Sequence, residues 1–174
     1  MALLGGKSDH HRTRQTERIF LVVVDDSDEM PVALRYASLR ARATGGRVAL
    51  FTAVEKEDFG HWAAVDELLE AEQREEAEAL LSRYAETVQE VTGQPPVLYI
   101  RNGSTRDALL KLLEEEPTIS ILVLAAGTGG RNPGPLISAL TGKLHSRLSI
   151  PVTIVPGNLS DEDLDALSQA APIT

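Results

Sequence analysis

The chain has 174 residues, 17 Lys and Arg against 26 Asp and Glu for a formal charge of −9, and no cysteine. That length predicts one ordinary domain with some tail. The absence of cysteine excludes disulfides, thiolate catalysis and Cys-based zinc sites, and the acidic balance argues against nucleic acid or an anionic membrane surface as a main partner.

The residues from Met1 to Glu17 are polar, basic and glycine-containing without any period, which predicts a mobile arm. The domain is expected over 18–158, with 159–174 as a short acidic C-terminal helix or tail. The longest apolar run, Ile119 to Ala126, is far below the roughly 20 residues that span a bilayer. The first residues also lack the apolar core and cleavage pattern of a secretory signal. The chain is read as soluble and cytoplasmic.

Ile19 to Val24 is a β-branched, apolar run followed at once by Asp25, Asp26, Ser27 and Asp28, the pattern of a central parallel strand ending in a polar loop. Asp28 is expected to cap a helix that carries Val32, Leu34, Ala37, Leu39 and Ala41 and stops at Gly45 and Gly46. Arg47 to Val54 reads as a second strand. A loop from Glu55 to about Ala64 follows, in which His61 and Trp62 are expected to pack on the sheet or the long helix, the alternative being that the aromatic lies over a bound base. The long helix after it has an inner face of Val65, Leu68, Leu69, Ala77, Leu80, Leu81, Tyr84, Val88 and Val91. Its glutamates form a solvated face with i, i+4 pairs such as Glu70 with Arg74. Val97 to Ile100 is a third strand, and Ser104 or Thr105 caps a helix that closes before Pro117. Ile119 to Ala125 is a fourth strand, a helix from about Leu136 to Arg147 comes next, and Val152 to Val155 closes the series. Ser160 with Asp163 forms a capping box for a last short helix, which either crosses to a second subunit or stays loose.

Five apolar strands alternating with amphipathic helices call for an α/β fold, a parallel sheet with helices on both faces. Ligands in such sheets sit beyond the carboxyl ends of the strands, at the switch point. The glycines after the fourth strand, Gly127, Gly129, Gly130 and Gly134, suit a loop that wraps a phosphate with main-chain amides. Thr128, Ser138 and Thr141 add hydroxyl donors, and Lys143 or Arg131 offsets charge. A tight turn rich in glycine for steric reasons is the alternative. Asp25 is placed to accept hydrogen bonds from a ribose, and Asp26 to hold a turn. A Walker A loop and a dinucleotide fingerprint are both absent. The four histidines have no paired spacing for a metal, so no metal site is expected.

The order of these markers resembles the universal stress protein family. They are Val24-Asp25-Asp26-Ser27, the Arg101-x-Gly103 turn, the Gly127-x-x-Gly130 loop and the closing Ile150-Pro151-Val152-Thr153-Ile154-Val155. The resemblance covers about Ile19 to Asn158 and implies a Rossmann-like, adenine nucleotide alpha hydrolase-like fold with strand order 3-2-1-4-5. It also implies ATP or another adenine nucleotide as ligand, with magnesium where ATP is bound. Asp25 matches the acidic position near the ribose, with Ser27 beside it, and Ala53 matches the second-strand position against adenine. Gly127 and Gly130 match the first pair of the family's G-x2-G-x9-G-[ST] loop. Counting forward from Gly130 lands on Leu140 and Thr141. Counting back from Pro151-Val152 places Ser138 and Ala139 at the Gly-Ser pair and Thr141 at a further hydroxyl position. The third glycine is missing in either register.

The implied nucleotide-binding set is Asp25, Ser27, Ala53, Gly127, Thr128, Gly130, Ser138 and Thr141. No Gly-x-Ser-x-Gly elbow and no general base are found, so weak ATP hydrolysis is the most that is expected. The resemblance further implies a homodimer through the last strand, Val152 to Val155, alongside an unidentified protein partner. Two functions stand open: a nucleotide-binding stress-response regulator, and a dimeric interaction module of the same fold that does not bind ATP.

Overall fold

The computed structural model describes residues 17–56, 63–129 and 133–169. The proposed arm, the His61-Trp62 pair and Gly130 lie outside these. Five parallel strands form one sheet in the order β3-β2-β1-β4-β5. They are β1 (Ile19–Val23), β2 (Arg47–Val54), β3 (Val97–Asn102), β4 (Ile119–Ala126) and β5 (Val152–Pro156). The helices are α1 (Met30–Thr44), α2 (Ala63–Thr92), α3 (Thr105–Glu115), α4 (Pro135–Thr141) and α5 (Asp161–Ser168).

The central strand β1 is buried along its whole length, between β2 and β4. Because successive side chains point to opposite faces, an unbroken apolar run feeds two cores at once. Phe20, Val22 and Val24 join Leu50 under Met30, Ala33, Leu34 and Ala37 of α1 and Leu81 and Val88 of α2. Leu21, Val23 and Phe51 face Leu109 and Leu112 of α3 and Ile137 and Leu140 of α4 on the other side. Gly45 ends α1 at φ 66°, and its amide donates to the Ala41 carbonyl, a left-handed closure that glycine adopts without a Cβ penalty.

Several expectations are corrected. Asp28 does not cap α1: the cap position is Glu29, with no side-chain bond. Asp25 organises the loop instead, and the Ser27 carbonyl accepts the Met30 amide at 3.2 Å, which moves the helix start past Asp28. In α2, Val65 and Leu68 are 52% and 63% exposed, and the buried stripe consists of Ala77, Leu81 and Val88 farther along. At 30 residues and 1.5 Å per residue, α2 outruns the strands it covers, so its first turns have no sheet beneath them. Arg74 pairs with Glu78 at 3.4 Å, while Glu70 pairs with Lys56 at 3.2 Å. The late helix is also shorter than expected. It stops at Gly142, whose φ −90° and ψ −114° leave the helical region, and a 3-10 turn over His145–Arg147 replaces its last stretch.

The closing helix α5 neither crosses away nor hangs loose, because it docks on α1 of its own chain. Leu164 is 1% exposed, and Arg35 reaches Asp161 at 3.2 Å and Asp165 at 3.0 Å. The capping box is present, with the Ser160 hydroxyl accepting the Asp163 amide and Asp163 accepting the Ser160 amide. Bonds from the Ser160 hydroxyl and amide hold the Asp163 carboxyl below its ordinary value of 3.8. A carboxyl depressed in the folded state stabilises above its unfolded value, and that contribution is lost as pH falls through the folded value. α5 is therefore expected to loosen below about pH 4, and Ser160→Ala to loosen it already at neutral pH. Leu164 methyl shifts would report both; shifts unmoved by Ser160→Ala would refute the role of the cap.

Candidate functional site

At the carboxyl ends of β1 and β2 the structure opens into a cleft of about 1120 Å³. Its floor is the end of β1 with Asp25 and Asp26, the end of β2 from Thr52 to Lys56, and Leu124 and Ala125 of β4. One wall is α2, through Gln73, Glu76, Leu80 and Arg83; the other is the segment Pro133 to Ile137, with Thr105 at one end. The two walls belong to opposite faces of the sheet, since Leu80 packs with the α1 side and Ile137 with the α3 side. They part at β1 because connections leave it and its neighbours toward opposite sides where the strand order reverses.

Two of the site residues expected from the sequence, Asp25 and Ala53, line this cleft. Asp25 accepts the Ser27 amide through Oδ1 at 2.9 Å. A carboxylate has about four acceptor sites, so capacity for a ligand hydroxyl remains. Ala53 is half-buried and stands opposite Arg101 in the β2–β3 register. Asp26 is 3.5 Å from Arg83, and Glu55 accepts the Thr105 amide at 3.3 Å, tying the end of β2 to the first turn of α3.

Ser27, Gly127, Thr128, Ser138 and Thr141 stand outside the cleft lining. The Thr141 hydroxyl donates to the Ile137 carbonyl at 2.7 Å, a bond within its own helix. Ser138 is on the exposed side of α4, its amide donating to the Gly134 carbonyl at 3.0 Å. Thr128 is exposed. Gly127 has a steric use: a Cβ there would stand 3.3 Å from the Glu29 carboxylate, and a Cβ on Gly157 would collide with the same side chain. Gly157 makes room for Glu29, and Gly127 stands beside its carboxylate.

The reading of the sequence missed Gln73, Glu76 and Arg83. Their signal is present in α2, where Gln73, Glu76, Leu80 and Arg83 recur at three- and four-residue steps along one face. Polar and charged residues there interrupt an otherwise apolar stripe, which marks a stretch of helix facing an opening. Among the described residues, no group of three or more His, Asp or Glu could hold a metal ion, and no helix is long and apolar enough to cross a membrane.

The model of the universal stress protein family matches residues 17–156. No curated protein matches the chain. Among solved structures, UspA of Lactobacillus plantarum is similar at 20% identity and a TM-score of 0.65, covering 79% of this chain and 97% of its own. A universal stress protein in complex with cAMP is 21% identical with a TM-score of 0.59, over 80% of this chain and 97% of that one. The universal stress protein from Archaeoglobus fulgidus in complex with dAMP is 16% identical with a TM-score of 0.52, over 79% of this chain and 96% of that one. Identities this low show a shared fold; with a family match over most of the sequence and a parallel sheet ordered 3-2-1-4-5, the chain belongs to the universal stress protein family.

Proposed function

We propose that this protein is a cytoplasmic stress-response regulator that binds ATP or another adenine nucleotide in the cleft at the ends of β1 and β2, and that occupancy alters its association with a protein partner. The observation that carries this reading is the junction of Asp25 and Ala53 in one cleft. A carboxylate for ribose hydroxyls there sits beside a strand end for a base. At about 1120 Å³ the cleft is slightly larger than the roughly 300–1,000 Å³ of ordinary small-molecule sites, so it has room for such a ligand. The cAMP and dAMP complexes of two proteins of this fold support adenine as the base. No hydrolytic step is assigned, because among the described residues that line the cleft no nucleophile is paired with a base.

Isothermal titration with adenosine, AMP and ATP, with and without magnesium, tests the proposal. Binding on the order of micromolar, about −8 kcal/mol, is the expected result for at least one of the three. Flat titrations with all of them at millimolar concentration would overturn it.

The second reading, a dimeric interaction module of the same fold that works without ATP, is favoured by the edge strand β5, where Ile154 is 39% exposed. An unpaired apolar edge is a ready surface for another strand. We propose a homodimer through Val152 to Val155. Ile154→Lys is then expected to weaken dimerisation by at least roughly tenfold while leaving the monomer folded, since an edge lysine opposes strand pairing. Light scattering across a dilution series would show it, and an unchanged mass at all concentrations would exclude this edge as the interface.

A further inference from the structure

Resting on the adenine reading above, we infer that the cleft accepts an adenine ligand with at most one phosphate and turns away the triphosphate. Among the described residues its lining holds four carboxylates, Asp25, Asp26, Glu55 and Glu76, against two cations, Lys56 and Arg83. Both cations are already engaged: Arg83 lies 3.5 Å from Asp26 and Lys56 lies 3.2 Å from Glu70. The Thr105 amide, a main-chain donor at the start of α3, is taken by Glu55. Outside the cleft lining, beside the first glycine of the loop after β4, stands the Glu29 carboxylate. Among the described residues, carboxylates thus pair with both cleft cations and with the Thr105 amide, and the described lining carries net negative charge.

Base and ribose recognition do not depend on that charge. Each further phosphate does: a unit charge about 8 Å from another, at an effective dielectric between surface protein and water, changes affinity on the order of tenfold. Glu76 is exposed on α2 and faces the cleft, so it is a group whose removal changes the field without opening the fold.

Calorimetric titration of adenosine, AMP and ATP at low salt without divalent cation, on the wild type, Glu76→Gln and Glu29→Gln, decides the matter. The wild type is expected to bind adenosine and AMP at least about tenfold more tightly than ATP, with the gap narrowing as salt screens the walls. Glu76→Gln or Glu29→Gln is expected to raise ATP affinity severalfold and leave adenosine affinity unchanged. Wild-type ATP affinity equal to or above that of adenosine, or an ATP-to-adenosine ratio that neither variant moves, would overturn the inference while leaving the adenine site standing. No binding of any of the three would remove the adenine reading and this inference with it.

Discussion

Phe51→Ala is expected to lower stability by about 3–5 kcal/mol. Phe51 is fully buried in the middle of β2 and packs in the same cluster as Leu21, Leu109, Leu112 and Leu122. Removing the ring takes away its transfer free energy and leaves a cavity that a sheet hydrogen-bonded on both sides cannot collapse around. For a domain of this size, each kcal/mol shifts the midpoint by roughly 2–4 °C, so Tm should fall on the order of 10 °C. Phe51→Leu, which keeps much of the volume, is expected to lose less. Thermal unfolding followed by circular dichroism measures both, and a loss under about 1 kcal/mol, the ordinary size for point mutants, would mean that this core repacks.

Asp25→Ala is expected to weaken adenosine binding by about 10- to 100-fold, because a hydrogen bond to a charged group contributes about 1.5–3 kcal/mol. Adenosine is the suitable probe, since it carries no charge. With ATP, removing a carboxylate from an already negative cleft would partly offset the lost bond. Asp25 also holds the Ser27 amide, so Asp25→Asn, which retains a side-chain acceptor for that amide, separates the two roles. The asparagine variant should keep the turn and show an intermediate affinity. Unchanged adenosine affinity in Asp25→Ala would end the assignment of Asp25 to the ligand.

Much of the architecture was legible residue by residue. The run Ile19 to Val24, the Gly45-Gly46 stop, the strand Arg47 to Val54 and the Ser160–Asp163 box all appear where the pattern places them, because each is governed by neighbours within one or two turns. The failures share one cause. The first turns of α2 carry an apolar stripe as regular as that of the later turns, yet Leu68 is exposed and Leu81 is fully buried. Period states which residues share a face, not whether anything lies opposite it. The α4 stretch departs from its pattern for a related reason: the apolar residues beyond Gly142 pack against the core, as Leu144 and Leu148 do, without needing a continuous helix.

The candidate site divides in the same way. Asp25 and Ala53 both lie at strand ends, where ligands gather in a parallel sheet, and the family resemblance singles out Ala53 at the end of β2. The cleft's other wall could not be found so, because α2 is brought to it from across the chain by packing on the opposite face. The glycine loop shows the limit most clearly. Gly127 suits a phosphate by composition, but no local pattern announces that Glu29 from the start of α1 stands beside it, 3.3 Å from where a Cβ would be, or that Gly157 just after β5 leaves room for the same side chain.

By itself, the sequence determined the class of fold, the type and order of its elements and the edge of the sheet at which the cleft opens, since short-range periodicity and turn chemistry specify these locally. Tertiary structure alone decided which helix turns are covered, where α5 docks and which carboxylates surround the cleft. Those depend on distances between residues far apart in the chain, which no local pattern encodes.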